Sequence, residues 1–242
     1  MPEPQQDRSR TTREALVYGA ALKFAEMGYS ASINDITEES GVKKGAIYHH
    51  FRTKDDIGWE VVRLGAVSDE PGSEPHLVLP TPTFSWVQVV VDQAARLAAI
   101  TQDVPYVRAA HRLATEPGTP FYQHIWRHFQ PAIIQVLQQA YEEGELLPGI
   151  DAEAMGKDWI AAFTGYDLMR RLDPENLPKD IYELNRNTVD RCVRPKVLRE
   201  LDLTIERGKK LAELHPLYIK TKADERGAAA RARARSAVAA GA

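Results

Sequence analysis

The residues of this chain best suited to chemistry are basic, and they are crowded together. Lys43, Lys44, Gly45, Tyr48, His49 and Lys54 all fall within residues 43–54. A lysine can bond the O6/N7 edge of guanine in the major groove, and a glycine lets the backbone come close to the duplex. Tyr48, His49 and Lys54 suit phosphate oxygens, contacts that set register without reading sequence. For any one of these lysines the plain alternative is a solvated helix end. Other chemistry has less to stand on. His124 and His128 have the i, i+4 spacing of a helical metal pair, but HIWRH lacks the Glu of a zinc-protease helix and no third ligand is near. The single cysteine, Cys192, excludes an internal disulfide and a multi-thiolate metal site. With no Gly-rich phosphate loop and no GxSxG motif, neither an enzyme nor a bound metal or cofactor is expected.

The basic cluster needs a scaffold, and residues 32–57 supply one. Ser32 and Asp35 have capping-box spacing, Ile33 and Ile36 mark an apolar side, and Gly41 provides the positive φ on which such a helix stops. Ala46, Ile47 and Phe51 then recur at helical spacing, so a second helix follows across a short turn containing glycine. That is a helix-turn-helix, with Lys43, Lys44 and Gly45 at the start of the second helix, the end that enters the major groove. Upstream, Thr11 and Glu14 have capping spacing, and Leu16, Ala20 and Phe24 mark one face of a supporting helix ending near Gly28. Arg8 and Thr11 at its start are candidate phosphate contacts, because a helix N-terminus attracts anions. Thr53 and Asp56 open a connecting helix with Ile57, Val61 and Leu64 on its apolar side.

The rest of the chain is helical in pattern. Residues 69–82 carry Pro71, Pro75, Pro80 and Pro82 and read as an irregular loop. From Thr83 the pattern is helical: Trp86, Val89, Val90, Ala94 and Leu97 mark one amphipathic helix, Val104, Val107, Ala110, Leu113 and Ala114 a second, and others follow over about 121–143 with a kink at Pro131, 151–172, 179–193 and 195–214. No strand alternation is present, so the fold class is all-α: an N-terminal helix-turn-helix domain over 8–55 and a helical bundle over 56–216. Residues 1–7 and the Ala/Arg-rich stretch 217–242 are expected to be disordered. With 242 residues, 43% hydrophobic and 27% charged, the composition is that of an ordinary globular protein. No apolar run is long enough to span a membrane and no signal-peptide core is present, so a cytoplasmic protein is expected. Net charge is −3, and residues 1–60 hold eight Lys/Arg against ten Asp/Glu, so any basic surface must be local.

The run GVKKGAIYHHFRTKDDI, preceded by a helix ending in FAEMGY, closely resembles the DNA-binding domain of TetR-family transcriptional repressors. The resemblance covers about the first sixty residues. It implies a homodimer on a pseudo-palindromic double-stranded operator, released by a small-molecule effector.

A second, looser resemblance lies further on. YVRAAHRLATEPGTPFYQHIW, from Tyr106 to Trp126, and GIDAEAMGKDWIAAFTGYDLM are similar to the γ-butyrolactone receptor subgroup of that family. This implies an effector of γ-butyrolactone, furan or butenolide type. Trp126 would line its pocket, Thr164 would offer a hydroxyl, Gln130 would add a hydrogen bond, and Trp86 and Phe163 would form walls. Two alternatives stay open: a TetR-type repressor of efflux or metabolic genes answering a drug-like ligand, and a helical protein that does not bind DNA.

Overall fold

A computed structural model describes residues 5–65 and 85–240, with side chains described for 9–65, 85–127 and 129–233. The irregular segment expected at 69–82 lies outside the described residues. Twelve α-helices follow one another among those described: α1 (Gln5–Met27), α2 (Ile33–Ser40), α3 (Lys44–His50), α4 (Lys54–Gly65), α5 (Trp86–Asp103), α6 (Pro105–Ala114), α7 (His124–Glu142), α8 (Ala152–Met169), α9 (Leu177–Cys192), α10 (Pro195–Leu198), α11 (Ile205–Glu213) and α12 (Pro216–Ala240). The described residues contain no strand, only an isolated bridge between Leu146 and Val193. None of these helices is long and apolar enough to cross a membrane.

The chain divides into two compact units. The first joins residues 1–66 with 104–122 and 216–242, so α4, α6 and α12 belong with the helix-turn-helix rather than with the bundle. Leu16, Ala20 and Phe24 of α1 are fully buried as their spacing requires, with Ile36, Ile47, Ile57 and Val61 of the next three helices. Arg112 of α6 closes the C-terminus of α1: its guanidinium donates to the carbonyl of Glu26 at 2.6 Å, one of the acceptors that a helix end leaves unpaired. Glu116 accepts from the Tyr29 amide at 2.8 Å. Phe121, fully buried, packs edge-on to Trp59 and Tyr29 with ring centroids 4.8 and 5.9 Å away. Gly58 makes room for it, since a Cβ there would stand 2.4 Å from the Phe121 ring.

The second unit, residues 67–103 and 123–215, is built around α5. Buried Glu145 caps that helix, accepting from the amides of Trp86 and Val87 at 2.9 Å and from the Ser85 hydroxyl at 2.8 Å. A carboxylate at a helix N-terminus meets both the free amides and the positive end of the dipole. Further along, Asp92 is buried and takes both arms of Arg207 from α11, at 2.6 and 2.7 Å.

Four sequence expectations need correction. Helix α1 begins at Gln5, so residues 5–7 of the supposed leader are helical and Thr11 lies inside the helix instead of capping it. The helix expected from residue 121 starts at His124, and Pro131 lies inside it. The span 195–214 is two helices, because Gln88 holds both the amide and the carbonyl of Asp202, at 2.8 and 2.9 Å, in the gap between them. The stretch taken as a disordered tail is α12. Its Ala and Arg residues favour helix, and it is anchored by buried Leu217 and Thr221 and by a 2.7 Å bond from the Tyr106 hydroxyl to Asp224.

Candidate DNA-reading helix and ligand cavity

The reading head is assembled by local hydrogen bonds. Ser32 Oγ accepts from the Asp35 amide at 3.2 Å while Asp35 Oδ2 accepts from the Ser32 amide at 2.7 Å, a complete capping box. Those bonds from the Ser32 hydroxyl and amide hold the Asp35 carboxyl below its ordinary pKa. Gly41 closes α2 in the left-handed region at φ 65°. The chain then turns through Val42 and Lys43 into α3, which buries Ile47, with Phe51 buried just past its C-terminus. This rotation leaves Lys43, Lys44, Gly45, Tyr48 and His49 exposed. A Cβ added at Gly45 meets nothing within 4 Å, so the backbone there is open to an approaching surface.

Not every expected basic group shares that freedom. Lys54 donates to the Tyr29 carbonyl at 2.6 Å and stands 3.7 Å above the centre of the Tyr29 ring. That ring is held in turn by a 2.6 Å bond from its hydroxyl to Asp55. Lys54 therefore braces the α1 end against α4. Arg13 is similarly committed, to Glu60 at 2.9 Å and over the Phe51 ring at 5.1 Å. Glu60 also takes Arg63 at 3.0 Å, and these two guanidinium partners, Arg63 above all, hold its pKa down at about 2 against the opposing effect of burial. The His50 imidazole titrates below its usual range, chiefly through desolvation and then through Arg13 and His49. Arg8 lies in α1 but its side chain is outside those described, and Thr11 is exposed on the same helix.

The second unit contains a cavity of about 50 Å³. Its walls include Trp126 and Phe129 of α7, Trp159, Ile160 and Phe163 of α8, and Gln93 of α5. Of the five residues expected at a ligand site, Trp126 and Phe163 are here. Trp86 is at the first turn of α5 and is 39% exposed, and it does not line this cavity. Gln130 is half-buried next to Phe129 in sequence but is outside the lining. The Thr164 hydroxyl is also absent from the lining and donates to the Ile160 carbonyl at 2.8 Å, the back-bond open to any hydroxyl inside a helix.

Trp159 and Gln93 escaped the sequence reading. The Trp159 indole N–H donates to buried Asn185 at 3.0 Å, so the ring presents only its apolar surface. Gln93, a polar side chain on α5, is buried and lines the cavity. Its Oε1 accepts from Arg96, whose guanidinium burial brings down to a pKa of about 10. Among the described residues no cluster of three or more His, Cys, Asp or Glu side chains is placed to hold a metal ion, and the His128 side chain is not among them.

Residues 18–58 match the family model for bacterial regulatory proteins of the tetR family. The chain is 27% identical over 202 residues to the A-factor receptor protein of Streptomyces griseus, covering 81% of this chain and 69% of that relative. It is 28% identical over 155 residues to the HTH-type transcriptional repressor KstR2 of Mycolicibacterium smegmatis, covering 62% of this chain and 74% of the relative. Among solved structures, full-length TylP, a TetR regulator from Streptomyces fradiae, superposes with a TM-score of 0.62 at 28% identity over 87% of this chain and 92% of TylP. Residues 18–58, where the family model matches, therefore form a TetR-family helix-turn-helix domain, and the chain shares the all-helical fold of the TetR regulator TylP.

Proposed function

We propose that the chain is a ligand-released repressor, binding a pseudo-palindromic operator as a homodimer and leaving it when a small hydrophobic effector of γ-butyrolactone, furan or butenolide type fills the α5/α7/α8 cavity. The observation that carries the DNA half is the exposed Lys43–Lys44–Gly45 tip of α3, set on a helix pair whose caps fix its angle. Lys44 would reach base edges, with Lys43, Tyr48 and His49 on the backbone. Arg8 and Thr11 on α1 would add phosphate contacts, and Lys54 would act by positioning the head. Residues 8–55 serve as the reading domain, with α4, α6 and α12 packed into the same unit, and the second unit serves as the ligand-binding and dimerisation part.

Trp126 in the cavity wall supports the ligand half, as does the resemblance to γ-butyrolactone receptors and the similarity to the A-factor receptor. At about 50 Å³ the cavity holds little more than a water, whereas ligand sites typically span about 300 Å³ or more. Filling it with an effector of that size moves α5, α7 and α8 apart, so the effector binds a conformation different from the resting one. That differential affinity is what shifts a regulator between states. The segment that leads into α7 contains Phe121, which packs on Gly58 and Trp59 of α4.

A second reading keeps the DNA head and assigns the cavity to a larger drug-like molecule, which its mainly apolar lining also suits. A gel shift with the chain's own promoter DNA at fixed salt, followed by titration with lactone, furan-acid and butenolide compounds, tests both. A specific shift reversed by one of those compounds is expected. Absence of any specific shift leaves only a helical protein that does not bind DNA, and release by drug-like compounds alone selects the second reading.

A further inference from the structure

Gln93 is more than nine-tenths buried, at 8% exposure, and it lines the cavity. A carboxamide has an acceptor end and a donor end, and which way it faces is set by its neighbours. Here Oε1 accepts from Arg96, a residue itself 6% exposed, and a guanidinium cannot accept a hydrogen bond. The amide is therefore locked with Oε1 toward Arg96 and Nε2 on the other side. That Nε2 is enclosed and has no hydrogen-bond partner. Buried polar atoms are almost always paired, so an orphaned donor in a cavity wall marks the place of a missing acceptor. The indole N–H of Trp159, which also lines the cavity, is already taken by Asn185.

The charges behind Gln93 narrow the acceptor's type. Arg96 and Arg207 are matched by Asp92 and Asp202: Arg207 bonds Asp92 at 2.6 Å and lies 3.9 Å from Asp202, and Asp92 acts on Arg96. Arg96 thus already has the buried carboxylate of Asp92 acting on it, and a second carboxylate brought into the cavity would have to be buried beside that one. We infer that Gln93 determines effector specificity by donating through Nε2 to an uncharged carbonyl oxygen, such as that of a lactone or ketone, while the aromatic and aliphatic walls take the alkyl part. The inference rests on the ligand-bearing role of the cavity proposed above.

Trp126 and Trp159 in the walls allow binding to be followed by tryptophan fluorescence in the full-length protein without DNA. Three probes are compared: an alkyl γ-lactone, the tetrahydrofuran of the same chain length that lacks the carbonyl, and a fatty acid of that length. The wild-type protein is expected to bind the lactone roughly 10-fold tighter than the tetrahydrofuran, the contribution of one hydrogen bond. Gln93→Leu should abolish that preference and leave tetrahydrofuran binding intact. Gln93→Glu keeps an acceptor for Arg96 and loses the donor, so it should also lose the preference, and retained operator binding by either variant shows that it is folded. Equal binding of lactone and tetrahydrofuran to the wild type, or an undiminished preference in Gln93→Leu, overturns the role of Gln93 while the cavity reading stands. Tighter binding of the fatty acid overturns the uncharged carbonyl. Failure of all three to bind overturns the cavity reading together with this inference.

Discussion

At the scale of single residues, the lysines of the reading head divide by what holds them. Lys44 is exposed at the first turn of α3, whereas Lys54 is tied to the Tyr29 carbonyl and ring. Lys44→Ala should weaken operator binding by about 1 to 3 kcal/mol with no change in melting temperature, read by fluorescence anisotropy and thermal unfolding. Gly45→Ala separates stability from recognition. A Cβ there meets nothing within the protein, so the substitution should stabilise the helix by about 0.5 to 1 kcal/mol and yet weaken DNA binding, because in the proposed complex the methyl group would stand between backbone and duplex. Affinity equal to wild type in Gly45→Ala would show that the duplex does not approach this backbone. Sequence displayed Lys54 as another positive charge near a helix start. What engages it is the chain around Tyr29, twenty-five residues upstream, and that pairing has no local signature.

At the scale of elements, the bracing of α1 against α4 runs through Glu60, shared by Arg13 and Arg63. Its folded pKa of about 2 lies below the ordinary value of 4.5, so the ionised form is favoured by folding. The stabilisation is present above the unfolded pKa and is lost as pH falls through the folded one. Chemical denaturation of the wild type and Glu60→Gln should therefore differ most near neutral pH, and the two curves should converge between about pH 4.5 and 2. A difference that persists unchanged at the acid end argues that Glu60 acts through packing. Deleting α12 is a second test at this scale. With Leu217 and Thr221 buried and Asp224 holding the Tyr106 hydroxyl, a chain ending at residue 215 should lose thermal stability in the first unit, read by circular dichroism. An intact melting curve would return those residues to the role of a frayed tail.

At the scale of the whole molecule, the proposed mechanism requires two reading heads spaced by one turn of DNA, about 34 to 36 Å. Adding about 5 base pairs between operator half-sites turns one half-site to the opposite face and should abolish dimer binding, and adding about 10 should restore part of it. Unchanged binding to both spacings would mean that the heads bind independently. Much of the scaffold for this was legible in sequence because it is written within one turn of helix. The capping pairs Ser32/Asp35 and Thr53/Asp56, the stop at Gly41 and the face of Leu16, Ala20 and Phe24 all stand as their spacing required. Such features depend on neighbours three or four residues apart, and chain geometry alone brings those together. Tertiary structure decided the rest. Gln88 breaking the span 195–214 from more than a hundred residues away, α12 joining the first unit, and Gln93 turned inward with one end pinned by Arg96 all depend on which faces meet after the helices pack. A helix face shows that something apolar will cover it, but the partner, and the polar atom left uncovered inside, are settled only when distant segments compete for the same space.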